Sequence, residues 1–358
     1  MSSWRLHSTR VLFDMVGDPR PGHGLLGVSD PDVHLINGRW TMFLGAFTTR
    51  FSVRIAAAQL PETAAITDDR WRIVVDSRRR AVQYGAPSAK NAWDWAGMHT
   101  PCYVRVAGEC LRERIYYAGR LTRQQSGRQS RYAIGLLERD GDGWIRRDEP
   151  VIVGGAARPS LLEPRVIYAD GRWRAWFLST VGEVGRSELP DYELRYAESA
   201  DGIHWDTPTT FATSVEGFFD NAVEPYDGRW QMILARGTNL HGTRPYPSQG
   251  LWCSDADIPG PRECWSSPVP LIDTDVRPES WLGAGLCGPS FVREVDTDGI
   301  ERLHVFATGT RRRTPWRRVA WDRVRTLKRP PVPAPYFLAT GRLTFDAEGS
   351  SRPGRSDP

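Results

Sequence analysis

Leu162–Ser179 reads LEPRVIYADGRWRAWFLS, and after a polar loop Glu193–Trp205 reads ELRYAESADGIHW. The order is strand, two-residue turn, strand, loop, strand, turn and the start of a fourth strand. Asp170-Gly171 between two β-rich runs is a strong hairpin signal, because glycine accepts the positive φ that a tight turn demands. Asp201-Gly202 marks a second turn, closed by Trp205. One such unit is a four-stranded antiparallel sheet that cannot bury both its faces alone.

The unit recurs along the chain. Asn37-Gly38-Arg39-Trp40 follows Asp30-Pro31-Asp32-Val33, Asp170-Gly171-Arg172-Trp173 follows Glu163-Pro164-Arg165-Val166, and Asp227-Gly228-Arg229-Trp230 follows Asp220-Asn221-Ala222-Val223. Looser copies open at Thr100-Pro101-Cys102 and Gly288-Pro289-Ser290. Aligned on the residue before the proline or its equivalent, the copies start at 30, 100, 163, 220 and 288. Repeats of this length that need neighbours to bury a face predict an all-β, five-bladed β-propeller, with four-stranded antiparallel blades around a central channel.

The expected organisation is an N-terminal segment over 1–24, a single propeller over 25–345 and a disordered tail over 346–358. Either the run at Arg10–Met15 or GRLTF at 341–345 is expected to close the ring by pairing across the termini. The basic run Arg311–Arg329 reads as a solvated outer blade edge, and RPPVPAP at 329–335 as an extended connector.

Composition narrows the function classes. The chain has 358 residues, 40% hydrophobic and 25% charged, the balance of a soluble globular protein. Net charge is +4, carried almost wholly by arginine, since Lys90 and Lys328 are the lysines. Arginines and acids alternate along the chain, so a nucleic-acid partner is not expected, and no apolar run approaches a membrane span, so no membrane partner is expected either. Five cysteines without CxxC spacing argue against a disulfide scaffold and a structural zinc. MSSWRLHSTRVLFDM lacks the apolar core of a signal peptide, which points to the cytoplasm.

In a propeller the first strand of each blade lines the channel, so the aligned positions form one ring: Asp30, Thr100, Glu163, Asp220, Gly288. Deeper levels hold Asp32, Cys102 and Arg165, then His34 and Glu224. Three acids of five is not what a packed interior selects. Convergent carboxylates are what glycosidic cleavage needs, one protonated for the leaving group and one ionised to activate water. The bland alternative is that they cap strand ends, pair with Arg165 or Arg236, or hold a cation.

The blade pattern, the SDPDV opening (29–33) and the SADGIHW turn (199–205) resemble the five-bladed arabinanase, xylosidase and fructosidase superfamily, closest to glycoside hydrolase family 43. The resemblance covers about residues 25–325. It implies a glycosidase-like enzyme of inverting type acting on a small glycoside or oligosaccharide, with Asp30 as general base. It also implies Glu163 as the residue that tunes pKa and orients substrate, and Asp220 or Glu224 as general acid. Glutamate stands at 163 where the family has aspartate, and FFDNAVEPY (218–226) lacks the family's Glu-Gly-Pro acid motif. Ser29 replaces the asparagine of the retaining fructosidase branch.

Topology places Arg120, Ser179, Glu193 and Arg236 near the acids as substrate-binding candidates, together with Asp32 and Arg165. Trp93, Asp94, Trp95 and His99 approach from the second repeat, where tryptophan can stack on the apolar face of a sugar. His241 is a further candidate for substrate hydroxyls. No cofactor is expected to be required; a structural calcium in the central channel is left open. Two other classes stay open: a non-hydrolytic enzyme of secondary metabolism on the same scaffold, and a catalytically degenerate sugar-binding propeller. The former calls for a small-molecule metabolite and an apolar site, the latter for acids locked to arginines.

Overall fold

A computed structural model describes residues 4–85, 92–107, 111–120, 122, 131–181, 191–237, 248–276, 281–296, 299–311, 316–328 and 338–348. The chain starts with β1 (Trp4–Asp14). A first meander follows: β2 (Leu25–Ile36), β3 (Arg39–Thr48), β4 (Val53–Gln59) and the short β5 (Arg72–Ile73). The second is β6 (Gly97–Val106), β7 (Arg112–Arg120), β8 (Tyr132–Asp140) and β9 (Gly143–Arg146). The third is β10 (Ser160–Ala169), β11 (Arg172–Thr180), β12 (Tyr192–Ser199) and β13 (Thr209–Thr213). The fourth is β14 (Phe218–Tyr226), β15 (Arg229–Arg236), β16 (Gly250–Ala256) and β17 (Val269–Asp273). β18 (Leu286–Val295) and β19 (Glu301–Thr310), a helix α1 (Trp316–Arg325) and β20 (Leu338–Ala347) complete the described chain.

The protein is thus nearly all β, built of four-stranded antiparallel sheets. β10–β13 and β14–β17 form separate sheets, while the first two meanders are joined through one parallel bridge, Val53 to Gly97. The last sheet has the order β1-β20-β19-β18. Both terminal runs proposed for ring closure take part, and they pair with each other: Val11 faces Gly341 and Thr9 faces Leu343. β20 runs to Ala347, into the stretch expected as tail, and Asp346 bonds His7 and Arg302.

The Asx-Gly pairs form the tight turns that their chemistry predicts. Asn37-Gly38, Asp170-Gly171 and Asp227-Gly228 all have positive φ at both positions, the backbone twist that suits a two-residue hairpin. In SADGIHW, Asp201 Oδ1 accepts the N–H groups of Ile203 and His204, and Ser199 Oγ donates to the His204 carbonyl. A Cβ on Gly202 would lie 2.5 Å from the Tyr116 hydroxyl, so this turn packs too closely on the neighbouring sheet for any larger residue.

The sheets pack face to face through aromatic and aliphatic clusters. Trp176, Tyr196 and Phe211 of β11–β13 meet Met232, Trp252 and Trp265 of the fourth unit. Cys102, Tyr116 and Ile134 of the second meander meet Val166, Trp173 and Phe177. The first strands lie side by side, β2 against β6, β6 against β10, β10 against β14, β14 against β18 and β18 against β2.

One expected element is different. The basic run after β19 is not a blade edge: Trp316–Arg325 is helical. Trp316, Val319 and Ala320 recur at helical spacing, and Trp316 and Val319 pack on Met15 and Val16. The third place in the last sheet is taken by β20, so no strand position remains for this run. RPPVPAP falls outside the described residues. No described helix is long and apolar enough to cross a membrane.

Candidate active site

The five aligned positions meet. Asp30, Thr100, Glu163, Asp220 and Gly288 line one narrow cavity together with Pro31, Pro101, Pro164, Arg165, Asn221 and Pro289. Each of these first strands has a register break here, for example between Ser29 and Asp32 and between Leu162 and Arg165. At four of them the residue before proline adopts a left-handed conformation: Asp30 (φ 52°), Thr100 (φ 47°), Glu163 (φ 51°) and Gly288 (φ 57°). For the non-glycine residues that conformation costs about 1–2 kcal/mol each, and it turns their side chains out of the sheet alternation into the shared space.

Asp220 is held differently. Asn221 stands where the other copies have proline, and its N–H donates to Asp220 Oδ1 at 2.7 Å, a bond that proline cannot make. The Gly288 N–H donates to Asp220 Oδ2. Gly288 also abuts Asp30: a Cβ there would lie 2.7 Å from the Asp30 Cα and 2.9 Å from its Oδ1. Contact through a single residue keeps the Asp30 and Asp220 carboxyl oxygens within about 8 Å of each other. Asp30 in turn accepts the Ser29 hydroxyl at 2.8 Å, and its own N–H donates to Thr308 Oγ1 at 2.7 Å. No described ion pair engages Asp30.

Burial pushes the Asp30 carboxyl up to about 6, against the opposing pull of the Ser29 hydrogen bond. Asp220 is pushed up to about 7 by burial, with the Gly288 N–H working downward and the Asp30 charge upward. Glu163 rises well above the carboxylate range, from burial and then from the charges of Asp220 and Asp30. Three neighbouring carboxyls repel one another as they ionise, so each proton lost makes the next harder to remove. Asp220 is 3% exposed, whereas Asp30 and Glu163 are only half-buried.

Beneath the acids, Arg165 crosses between strands. Its Nη1 binds Asp32 Oδ1 at 2.6 Å, its Nη2 the Pro289 carbonyl at 2.9 Å and its Nε the Asn221 carbonyl at 3.4 Å. Asp32 Oδ2 takes His34 Nε2 at 2.8 Å and the Tyr103 N–H at 2.6 Å. Burial would raise Asp32, but His34 and Arg165 outweigh it and hold the carboxyl well below its usual range. Asp32 and Arg165 therefore tie the first strands together, with both Asp32 oxygens engaged.

Glu224 does not join the ring. It lies four residues beyond Asp220 on β14, about 13 Å along the strand, and lines a separate cavity with His34, Trp40 and Tyr226. The second-repeat candidates are not among the residues that line the acid cavity. Trp93 stacks on Tyr117 at 6.0 Å, and buried Asp94 accepts the Tyr117 hydroxyl at 2.5 Å and faces Arg146 at 3.4 Å. The Trp95 carbonyl accepts from Arg54 at 2.6 Å. His99 and Arg120 adjoin each other across Gly97, and burial, then Arg120 and Arg54, press His99 down to about 3.

Ser179 is buried on β11 opposite Leu161 and Glu193. Glu193 is bound to Arg195 at 2.5 Å and Arg158 at 2.9 Å, so it serves the outer strands rather than the acids. Arg236 donates to the Glu216 carbonyl at 2.7 Å and lies over Phe218 and Trp252. His241 lies outside the described residues.

Two polar groups at the cavity were not among the candidates. The Asn221 amide and the Thr100 hydroxyl are buried, line the cavity and have no hydrogen-bond partner among the described residues. A buried amide and hydroxyl without partners are costly unless water or a ligand satisfies them, so both have hydrogen-bonding capacity to spare at the cavity. The signal for Asn221 was present in the sequence, as the break in the proline pattern.

Comparison with known proteins supports the fold. A glycoside hydrolase structure superposes with a TM-score of 0.63 at 10% identity, covering 96% of this chain and 92% of that one. A thermostable family-43 glycoside hydrolase gives 0.56 at 13% identity, covering 92% and 96%. The α-L-arabinofuranosidase of Lactobacillus brevis gives 0.57 at 12% identity, covering 93% and 91%. In sequence, an uncharacterized protein of Mycobacterium tuberculosis is 25% identical over 203 residues, 54% of this chain and 62% of that relative. The match thus spans less than two thirds of the relative's length. No protein-family model matches the chain.

Proposed function

We propose that the protein is a glycoside hydrolase built as one five-bladed propeller domain, cleaving a small glycoside or oligosaccharide at the acid cavity. The cyclic packing of the first strands supports the five-bladed reading, with β1 and β20 closing the last blade. The single observation that carries the activity is the meeting of Asp30, Glu163 and Asp220 in one cavity, their carboxyls raised by burial and none of them in a described ion pair with arginine.

Asp30, ionised above about 6, is the general base that takes a proton from water. The resemblance assigns the general acid to Asp220 or Glu224, but the geometry favours Glu163. Both oxygens of Asp220 already accept backbone N–H groups and its side chain is buried. Glu163 is more exposed, has no described hydrogen bond, and its carboxyl is raised well above the usual range by burial and by the Asp220 and Asp30 charges. In this assignment Glu163 protonates the leaving oxygen, and Asp220 supplies the charge that holds that proton in place. Asn221 and Thr100 receive sugar hydroxyls.

A structural calcium does not fit the channel residues. Arg165 already engages the Asp32 carboxylate and the Pro289 and Asn221 carbonyls, the oxygens that such an ion would need. No described cluster of three His, Cys, Asp or Glu suits a metal. We read the guanidinium as the channel's own cation.

Proton NMR during hydrolysis of arabino- and xylo-oligosaccharides tests the reading. Release of a sugar whose anomeric configuration is opposite to that of the substrate supports inversion. Net retention excludes it, and no cleavage of any glycoside excludes the activity.

A further inference from the structure

A second cavity, apart from the acids, combines arginines whose side chains have no partner among the described residues with a main-chain frame. It has a volume of about 420 Å³ and is lined by His23, Gly24, Leu25, Thr48, Thr49, Arg50, Arg79, Arg80, Ala81 and Gln83. No residue is shared with the acid cavity. Leu25 and Asp30 lie on the same strand, so the two sites are at most about 17 Å apart along it.

The arginines here differ from many others in the molecule. Arg39, Arg114, Arg158, Arg229 and Arg302 each sit against a carboxylate, as do about half of the described arginines. The side chains of Arg50, Arg79 and Arg80 have no partner among the described residues, and no acid lines their cavity. Asp76, on the same turn, accepts the backbone N–H groups of Arg78 and Arg80 at Oδ1, both at 2.9 Å, and so shapes the turn.

That turn is fixed in place. The Asp76 N–H donates to the Arg80 carbonyl and the Arg79 N–H to the Asp76 carbonyl, leaving Arg79 at φ 59°. His23 Nδ1 meets the Arg79 carbonyl at 3.0 Å, and the Ala81 N–H donates to the His23 carbonyl at 3.1 Å. On the other side the Thr49 N–H donates to the Gly24 carbonyl at 2.9 Å. His23-Gly24 is thus a main-chain bridge that holds Arg79 and Arg80 opposite Arg50. Unneutralised like charges held together cost free energy in the empty protein, and a bound anion removes that cost.

We propose that this cavity is a binding site for a small molecule bearing a tetrahedral oxyanion, a phosphate or sulfate ester. Guanidinium forks match the oxygens of such groups bidentately, and three of them exceed what one carboxylate can use. The volume holds a diphosphate or a phosphorylated or sulfated sugar, and its concave shape suits a compact anion better than a nucleic-acid backbone. The site goes beyond the hydrolase reading and does not depend on it.

Isothermal titration calorimetry at low ionic strength tests this with pyrophosphate, inorganic phosphate, glucose 6-phosphate and glucose 6-sulfate. Pyrophosphate binds at one site per chain, and both R50A and the double variant R79A/R80A weaken it by at least about tenfold. R79K/R80K retains part of the affinity, and R229A, which alters an exposed arginine elsewhere, leaves it unchanged. Tighter binding of the sulfate than of the phosphate ester identifies the sulfated class as the source. Unliganded thermal unfolding of each variant, matching wild type, separates a binding loss from a folding loss. Absence of saturable binding for every anion overturns the proposal, as does affinity that the arginine variants leave intact. Tighter binding of a single-stranded oligonucleotide, lost in the same variants, overturns it in favour of a nucleic-acid surface.

Discussion

The assignment of Glu163 as proton donor predicts the shape of the pH profile. Asp30 must be ionised and the donor protonated. The raised Asp30 carboxyl sets the acid limb of kcat/KM near 6, with a tenfold fall per unit below it. The alkaline limb reports the donor. If Glu163 donates, the limb lies well above the ordinary carboxylate range, because burial and then the charges of Asp220 and Asp30 raise its carboxyl. Asp220→Asn removes one of those charges. Two carboxylates sharing one narrow cavity at an effective dielectric near 20 interact by about 1–3 kcal/mol, or about one to two pH units when both are fully charged. Proton sharing within the group reduces this to about one unit. Asp220→Asn should therefore keep a bell-shaped profile, with its alkaline limb about one unit lower. Glu163→Gln should lose turnover of poor leaving groups by about two to four orders of magnitude, and much less with an activated aryl leaving group that needs no proton. The assay is kcat/KM from pH 4 to 10 on a nitrophenyl and a dinitrophenyl glycoside, with circular dichroism as the folding control. An alkaline limb near 7 that disappears in Asp220→Asn but survives in Glu163→Gln refutes the assignment.

Other consequences concern stability and placement. Asp30 binds its proton more tightly folded than unfolded, so ionising it destabilises the fold as pH rises from about 4 through about 6. Asp30→Asn should then be more stable than wild type at pH 8, by at most about 3 kcal/mol, with the gain gone at pH 4, as read by urea unfolding. Arg165→Met should cost about 3–5 kcal/mol, because it strands the buried Asp32 carboxylate, and a double variant with Asp32→Asn should recover part of the loss. Glu224→Gln should leave kcat/KM within about threefold of wild type, since the side chain faces another cavity.

The fold was legible because its punctuation is local. Asx-Gly pairs specify positive φ within two residues, and their spacing exposed the repeat before any packing was known. The ring of Asp30, Thr100, Glu163, Asp220 and Gly288 followed from aligning those repeats, since equivalent positions on equivalent strands share one environment. What lay beyond reach depended on contacts between distant strands. Which oxygens of Asp220 are occupied depends on Gly288, 68 residues away. Arg165 looked like a substrate ligand, yet its partners belong to three other repeats. Glu224 shared a face with Asp220 by alternation, but alternation says nothing of depth. The helix at Trp316–Arg325 was missed because charge was read before the i, i+3, i+4 spacing of its apolar residues.

The most direct test of the central claim compares wild type with Asp30→Asn on aryl arabinofuranoside, xyloside, galactoside and fructoside. The account predicts turnover of at least one by wild type and a fall of several orders of magnitude in the variant, with its fold intact. Undiminished turnover in Asp30→Asn, or none by wild type on any of the four, would contradict it.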